Sequence, residues 1–180
     1  NDYDFSFYQQ QKHFQVGKLD KTDVKSVLQK LSAKMPPLPT DLLELLRTPL
    51  QLDVFCRIYR PDLPFERMAT LRNLYDELWL QKIINIQPSA QRKAVSEKCK
   101  QLVYQLAQTT YKHPMPSVNT RKFRESFPNE LEYLKSEDII QDTSEGIAFF
   151  HQTFYDYAFA RQFIESGKSL EVYLEENGQS

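Results

Sequence analysis

The segment that decides the fold reads Gly146-Ile-Ala-Phe-Phe-His151-Gln-Thr-Phe-Tyr-Asp-Tyr-Ala-Phe-Ala160. Its hydrophobic period changes in the middle, because Ile147 to Phe150 is a short β-type run and the residues from Gln152 onward have a helical period. His151 stands at this change. The first N–H groups of a helix lack intrahelical partners, so they favour a nearby anion such as a phosphate and disfavour an imidazolium ion. We therefore expect His151 to be neutral and to donate a hydrogen bond.

Composition predicts a mostly helical protein. The 180 residues include 4 Gly and 10 Pro, which suits helices separated by prolines, and they suffice for one large domain or two small ones. The formal net charge of −1 gives no global reason to expect nucleic acid or an anionic membrane as a partner. The sequence begins at Asn1 without an initiator Met, so we expect it to be part of a longer chain.

Cysteine, histidine and hydropathy patterns favour a cytoplasmic setting. Cys56 and Cys99 lack the spacing of a metal site or a disulfide framework, so we expect buried or incidental thiols. His13, His113 and His151 have no spacing that predicts a metal site. No apolar run approaches the roughly 18 residues of a membrane span, and the N-terminus has no signal-peptide pattern, so we expect no membrane contact.

Capping residues and apolar periods predict the first helices. We expect helices to begin after Asp20 and after Thr70, which are suitable N-caps. Another begins at Pro49, where Thr48 and Gln51 have the spacing of a capping box and proline suits the first helical position. The predicted buried faces are Val24, Val27, Leu28 and Leu31 in the first of these helices, Leu52, Phe55, Ile58 and Tyr59 in the Pro49 helix, and Leu71, Leu74, Tyr75, Leu78 and Ile83 in the Thr70 helix.

The remaining elements follow from similar signals. His13 to Val16 alternates like an edge strand, and further helices are predicted from Pro88, Thr120 and Pro128. Two short apolar runs, Ile139-Ile140 and Ile147 to Phe150, are predicted to pair as a hairpin across the polar loop between them, and the tail carries one more apolar pattern, formed by Leu170, Val172 and Leu174.

Six residues of the opening segment match a known pattern, aromatic-x-His-x-Ser/Thr-Phe-x-Glu-Tyr/Phe-x-x-Ala. They are Phe149, His151, Thr153, Phe154, Tyr157 and Ala160. The segment resembles the end of the winged-helix domain in NACHT-type STAND NTPases. Asp156 stands where that family usually has Glu, which shortens the side chain by one methylene group. The resemblance implies that His151 reaches the β-phosphate of bound ADP and holds the protein closed. The alternative is a helix-capping or core histidine.

A second match lies upstream. Leu46-Arg-Thr-Pro49-Leu-Gln-Leu52 resembles the Leu-x-x-Pro-Leu-x-Leu element of the first helical domain in the same family. The resemblance implies that Pro49 packs against the adenine ring of the nucleotide. Thr48 and Asp156 are further candidates for supporting the nucleotide site formed by Pro49 and His151. The alternative is that Pro49 serves only as the first residue of a helix.

The resemblance implies an all-α fold, in which a helical domain precedes a winged-helix domain with a small two-stranded β wing. It covers roughly Phe14 to Ile164. Residues 1–18 would be the remnant of an upstream nucleotide-binding domain, 19–66 the helical domain, 67–165 the winged-helix domain, and 166–180 the start of a following helical segment. Its specific motifs are confined to Leu46–Leu52 and Phe149–Ala160, and the rest of the span agrees only in the order of elements.

By the same resemblance, the whole protein would be a nucleotide-gated switch in cytoplasmic signalling or defence. ADP would bridge the nucleotide-binding domain of the same chain to Pro49 and His151, and exchange for ATP would permit assembly into a homo-oligomer. ADP, ATP and Mg²⁺ are therefore expected as cofactors only in the full-length protein. We expect no cofactor and no catalytic residue in this chain alone.

A phosphate-binding loop is missing from the sequence. Gly167-Lys168-Ser169 has the end of such a motif, but Gln162 stands where the full motif needs a glycine, and a helix precedes it instead of a strand. Consequently we expect the chain alone not to turn over ATP.

Two other functions compete with the switch. Arg121, Lys122 and Arg124 fall on the predicted recognition helix of a winged-helix domain, where they would meet DNA phosphates. Acidic residues such as Glu125 follow closely, however, so nucleic acid is not the favoured partner. The remaining alternative is a plain helical protein-interaction module.

Overall fold

A computed structural model describes residues 17–86, 92–112, 121–144 and 146–176. The described chain is mostly helical and includes a two-stranded antiparallel sheet, which confirms the predicted helical class with a small hairpin. The edge strand predicted at 13–16 lies outside the described residues. The chain separates into two compact units, Asn1–Ala69 and Thr70–Ser180.

The first unit is built from short helices. They are α1 (Lys21–Leu31), α2 (Thr40–Leu45), α3 (Pro49–Ile58) and a 3-10 helix (Phe65–Arg67). α1 packs against both α2 and α3. Arg47, between α2 and α3, is bonded to Leu19, which precedes α1. Its Nε donates to the Leu19 carbonyl at 2.9 Å, and its own carbonyl accepts from Leu19 N–H at 2.7 Å.

The first helix buries a narrower face than the sequence predicts. Val24 and Leu28 are buried, but Val27 and Leu31 remain 36% and 37% exposed. Asp20 is the N-cap residue as predicted, yet its side chain makes no capping hydrogen bond. Main-chain bonds from Asp23 and Val24 N–H to the Asp20 carbonyl hold the first turn instead.

The second unit contains the remaining helices and the hairpin. They are α4 (Leu71–Trp79), continued by a π-helical turn (Leu80–Ile84), α5 (Arg92–Lys112), α6 (Arg121–Ser126), α7 (Pro128–Ser136), β1 (Ile140–Thr143), β2 (Gly146–Phe149), α8 (Gln152–Ser166) and α9 (Leu170–Glu176). Thr70 caps α4 as predicted, since its side chain accepts a hydrogen bond from Asn73 N–H. α8 packs against α4 and α5.

The hairpin extends further into the polar sequence than predicted. Ile140 pairs with Phe149, and Thr143 pairs with Gly146 at the other end of the ladder. Asp142 and Thr143, predicted to lie in the loop, therefore belong to β1. Their side chains are exposed, so main-chain pairing extends the strand without needing apolar residues.

The tail packs through a residue that is not part of its apolar pattern. Leu170 and Val172 are 59% and 44% exposed, whereas Tyr173 is buried. The Tyr173 ring lies 5.6 Å from that of Phe159 and 4.9 Å from that of Phe163, so α9 folds back on α8. An aromatic ring buries more apolar area than the aliphatic side chains that suggested the face. The side chain of Leu174 lies outside the described residues.

None of the helices in the described ranges is both long enough and apolar enough to cross a membrane.

Candidate functional site

His151 is the N-cap residue of α8. Its ring Nδ1 accepts a hydrogen bond from Thr153 N–H at 3.1 Å. Its carbonyl accepts from Phe154 N–H at 3.1 Å and from Tyr155 N–H at 3.3 Å. The Tyr155 bond is the first regular bond of the helix. The first turn therefore offers fewer free N–H groups to an anion than the sequence predicts, because His151 itself engages those of Thr153 and Phe154. Helix capping, the alternative weighed for His151, is observed.

The capping bond determines which ring nitrogen carries the proton. A neutral imidazole has one N–H and one acceptor nitrogen. Because Nδ1 accepts from Thr153 N–H, the proton of the neutral ring lies on Nε2. His151 is partly exposed, and its Nε2 has no acceptor among the described residues. The residue thus caps the helix with one nitrogen and presents a donor with the other.

Two hydroxyl groups lie on the Nδ1 side of the His151 ring, those of Thr153 and Tyr75. The Thr153 Oγ1 lies 2.9 Å from Nδ1 of His151. The same Oγ1 lies 2.6 Å from the hydroxyl oxygen of Tyr75, which α4 contributes. Tyr75 is 2% exposed, and burial raises the pKa of its hydroxyl group. A string of three polar side chains therefore runs from α4 to the start of α8.

Asp156 makes its side-chain hydrogen bond within α8. It is exposed, and its Oδ1 accepts a hydrogen bond from Gln152 Nε2 at 3.2 Å. No ion pair involves Asp156 in the part of the chain that the structure describes. The acidic residue that links α4 to α8 is Asp76, which lies on α4. No sequence pattern indicated it.

Asp76 is the acceptor of a compact network. Its Oδ1 accepts from the Tyr157 hydroxyl at 2.7 Å and from Arg161 Nη1 at 3.2 Å. Burial, and then the hydrogen bond to Asp76, raise the pKa of Tyr157. The guanidinium carbon of Arg161 lies 4.9 Å from the centre of the Trp79 ring, a cation–π distance. The spacing of Tyr157 and Arg161, four residues apart on one helix, shows in the sequence that they are neighbours. Their partner Asp76 is about eighty residues away, so the sequence does not indicate it.

The network borders a cavity of about 320 Å³. Arg161 Nε lies 3.2 Å from Glu165 Oε1 but outside hydrogen-bond geometry, so these two groups interact as charges. Glu165 also pairs with Lys100 of α5 at 2.7 Å. Since the polar walls engage one another, the arrangement joins α4, α5 and α8 and is suited to holding them together.

Pro49 lies in the first unit, whereas His151 lies in the second. Pro49 is the first residue of α3 and Thr48 is its N-cap, as predicted. The predicted capping box is wrong, because the Thr48 side chain makes no capping hydrogen bond. The first turn is secured by Leu52 N–H donating to the Thr48 carbonyl at 3.0 Å, and by the fixed φ of proline.

The basic residues of α6 are exposed but have acidic neighbours. Arg121 Nε lies 3.3 Å from Glu125, and Arg124 Nη2 lies 3.8 Å from Asp142 of the hairpin. Lys122 is exposed on the same helix, which has only 6 residues. These pairs reduce the positive charge available to a nucleic acid phosphate.

The cysteines have no chemical activation. Burial and the nearby Glu130 raise the pKa of Cys99 to about 12, and burial also raises the pKa of Cys56. Thiols that stay protonated are weak nucleophiles and poor metal ligands. Within the described ranges, no group of three or more His, Cys, Asp or Glu side chains could hold a metal ion.

Gly167 has a structural role in the described chain. It adopts the left-handed conformation, with φ of 65°, and its N–H donates to the Ile164 carbonyl at the end of α8. This is the usual use of glycine just after a helix and differs from a phosphate-binding loop.

Comparison with known proteins returned no relative: no protein-family model matches the sequence, and no curated protein or solved structure matches it.

Proposed function

We propose that this chain is the regulatory part of a nucleotide-gated switch of the NACHT-type STAND class, in which His151 donates a hydrogen bond to a phosphate oxygen of bound ADP. An upstream nucleotide-binding domain of the same protein would hold the nucleotide, with Mg²⁺ accompanying ATP. Loss of the His151 contact on exchange would let the protein open and form homo-oligomers in signalling or defence.

The hydrogen bonding of the imidazole ring carries the proposal. Nδ1 accepts from Thr153 N–H, so the neutral ring has its donor on Nε2. A phosphate oxygen is an acceptor, and a hydrogen bond to a charged group is stronger than one between neutral groups. His151 also begins a helix of 15 residues, whose positive end favours an anion.

The order of elements in the second unit supports a winged-helix arrangement. Helices α4 to α7 precede the hairpin, and α8 follows it directly. In this proposal the hairpin is the wing, and α8 is the helix that carries the nucleotide-sensing residue at its start. The adenine contact of Pro49 is a separate part of the proposal, supported by the sequence pattern and by the placement of Pro49 at the start of α3.

A switch of this kind works through a difference in affinity. A ligand shifts an equilibrium between two states only as far as it binds one state better than the other. The His151 bond would exist only in the closed, ADP-bound state. Removing it should therefore weaken ADP binding and favour the open state together.

The test compares three forms of the full-length protein that the proposal implies. Nucleotide released from purified wild type, His151→Ala and His151→Asn would be identified and quantified by mass spectrometry. Asn is a good N-cap residue, so His151→Asn keeps the capping acceptor, and its shorter amide group leaves no donor at the position of Nε2. We expect bound ADP in wild type and a loss of about tenfold in both variants, the scale of one hydrogen bond to a charged group.

The matched variants separate the two roles of His151. ADP lost only in His151→Ala would assign the effect to helix capping. Equal retention in all three proteins, or no nucleotide in any of them, would contradict the proposal.

A further inference from the structure

We propose that the side chains of Thr153 and Tyr75 are positioning groups that reinforce the Nε2–H tautomer set by the capping bond of His151, so that the stability of this tautomer depends on the packing of α4 against α8. The inference rests on the proposed phosphate contact for its biological meaning. The tautomer itself can be measured without any nucleotide.

The hydroxyl group of Tyr75 belongs to a side chain that is buried in the second unit. A buried O–H needs an acceptor, because leaving it without one costs the desolvation of the group. In the described part of the chain, Thr153 Oγ1 at 2.6 Å is the one hydrogen-bond partner of the Tyr75 hydroxyl. Tyr75 therefore donates to Thr153.

This donation fixes the direction of the next bond. Because Thr153 Oγ1 accepts from Tyr75, its own proton is free to point elsewhere. Nδ1 of His151, at 2.9 Å, is the acceptor within reach. The hydroxyl and the N–H of Thr153 then both donate to Nδ1, and both oppose a proton there. The donors run in one direction, from Tyr75 through Thr153 to His151.

The start of this chain of donors is held rigidly. The Tyr75 ring contacts two rings of α8, those of Phe154 at 5.3 Å and Tyr157 at 5.4 Å. Its hydroxyl therefore moves only if α4 moves relative to α8. A shift between these helices would take the Tyr75 oxygen away from Thr153 and release the hydroxyl that orients His151.

The consequence concerns what His151 can recognise. With Nδ1 engaged, the imidazole can offer an outside ligand a donor but no acceptor. Phosphate oxygens fit this requirement, whereas an amine or a hydroxyl proton does not. Thr153 and Tyr75 would thus make the site selective for a hydrogen-bond acceptor such as a phosphate oxygen, without touching the ligand themselves.

The test is nitrogen-15 NMR of the histidine side chains in the full 180-residue chain at neutral pH. The proteins are wild type, Thr153→Val, Thr153→Ser and Tyr75→Phe, and the spectrum of His151→Asn assigns the signals. We expect Nε2 to carry the proton in wild type and Nδ1 to have the shift of a hydrogen-bonded acceptor. In Thr153→Val, the Nδ1 signal should move toward that of a free acceptor, and Thr153→Ser should restore it.

Tyr75→Phe should move the same signal less, since the Thr153 hydroxyl remains. In the full-length protein, Thr153→Val should speed ADP release about fivefold, the scale of one neutral hydrogen bond, and Thr153→Ser should stay close to wild type. A proton on Nδ1 in wild type would overturn the inference, and this result needs no variant to fold. An Nδ1 signal unchanged in Thr153→Val would overturn it as well.

The two proposals fail in different ways. If the NMR results are as expected but no ADP is bound, the positioning roles stand and the nucleotide proposal is wrong. If ADP retention depends on His151 but Nδ1 carries the proton, His151 contributes to ADP binding without an Nε2 donor, and the positioning roles are wrong.

Discussion

The hydroxyl group of Tyr157 donates a hydrogen bond to Oδ1 of Asp76 across 2.7 Å and so joins α8 to α4. Arg161 Nη1 donates to both partners, at 2.9 Å to the Tyr157 oxygen and at 3.2 Å to Asp76. The three groups form a closed set of bonds beside Trp79. These bonds join α4 and α8, the same two helices that Tyr75 and Thr153 connect next to His151.

Tyr157→Phe should destabilise the second unit by about 1–2 kcal/mol, because the change removes a hydrogen bond to a partly buried carboxylate and leaves the ring in place. Urea unfolding followed by the fluorescence of Trp79, the single tryptophan, would measure the loss. Arg72→Ala is the control, since its Nε lies 3.7 Å from Asp76 and its side chain is 79% exposed. The control should cost less than about 0.5 kcal/mol, and equal effects of the two variants would contradict the prediction.

Sequence patterns predicted the features that are local. The start of α8 at Gln152, the cap at Thr70 and the first helical position of Pro49 all depend on residues within one turn. Local chemistry of this kind is legible because propensity and capping act over three or four residues. Tertiary packing decides which apolar residues are buried, so Val27 and Leu31 remain exposed although they lie on the predicted buried face of α1.

In the candidate site, too, the local features could be predicted from the sequence and the long-range contacts could not. The position of His151 at the strand-to-helix change follows from the sequence. Its partnership with Tyr75 does not, because the two residues meet only when α4 packs on α8. Asp76 was missed for the same reason, as nothing near it in the sequence marks it as the partner of Tyr157 and Arg161.

The N-caps of α4 and α3 should differ in energy although both are threonines. Thr70 Oγ1 accepts from Asn73 N–H at 3.2 Å, whereas the Thr48 side chain makes no capping bond. Thr70→Ala should therefore cost about 1 kcal/mol of unfolding free energy, and Thr48→Ala should cost clearly less. Trp79 fluorescence reports on the unit that contains Thr70, and far-UV circular dichroism on both. A larger loss from Thr48→Ala would show that the sequence-predicted capping box forms after all.

Gly167→Ala should cost about 1 kcal/mol, because alanine is strained at the left-handed φ of 65°. A Cβ added there would meet nothing within 4 Å, so the cost comes from the backbone and not from a clash. Gly17→Ala is the matched control, since its Cβ would also meet nothing within 4 Å and its φ is not in the left-handed range. Thermal unfolding of both variants would measure the difference. No loss in Gly167→Ala would mean that α8 ends differently in solution.

We expect the unfolding free energy to fall at alkaline pH, because a tyrosine is bonded to the π-helical turn after α4. Tyr133 donates to the carbonyl of Lys82, within this turn, at 3.0 Å. Burial, and then the charge of Glu137, raise the pKa of Tyr133 above its usual value near 10. As the pH rises past 10, the unfolded chain loses this proton before the folded chain does. The unfolded state then binds fewer protons, so the free energy of unfolding falls as the pH rises.

Tyr133→Phe should separate this titration from the hydrogen bond. At pH 7 to 9 the variant should be less stable than wild type by about 1 kcal/mol, because the Lys82 carbonyl loses its donor. Above pH 10 the unfolding free energy of the variant should fall less steeply with pH than that of wild type. The two slopes should differ by less than about 1.4 kcal/mol per pH unit, which is the limit set by one proton. The measurement is the urea unfolding free energy, followed at Trp79, in steps from pH 8 to about 11. Other tyrosines, including Tyr104 and Tyr157, also have raised pKa values, so part of the alkaline loss of stability remains in both proteins. Two parallel curves above pH 10 would mean that Tyr133 titrates alike in the folded and unfolded chains, and its hydroxyl would then not be held by the π-helical turn.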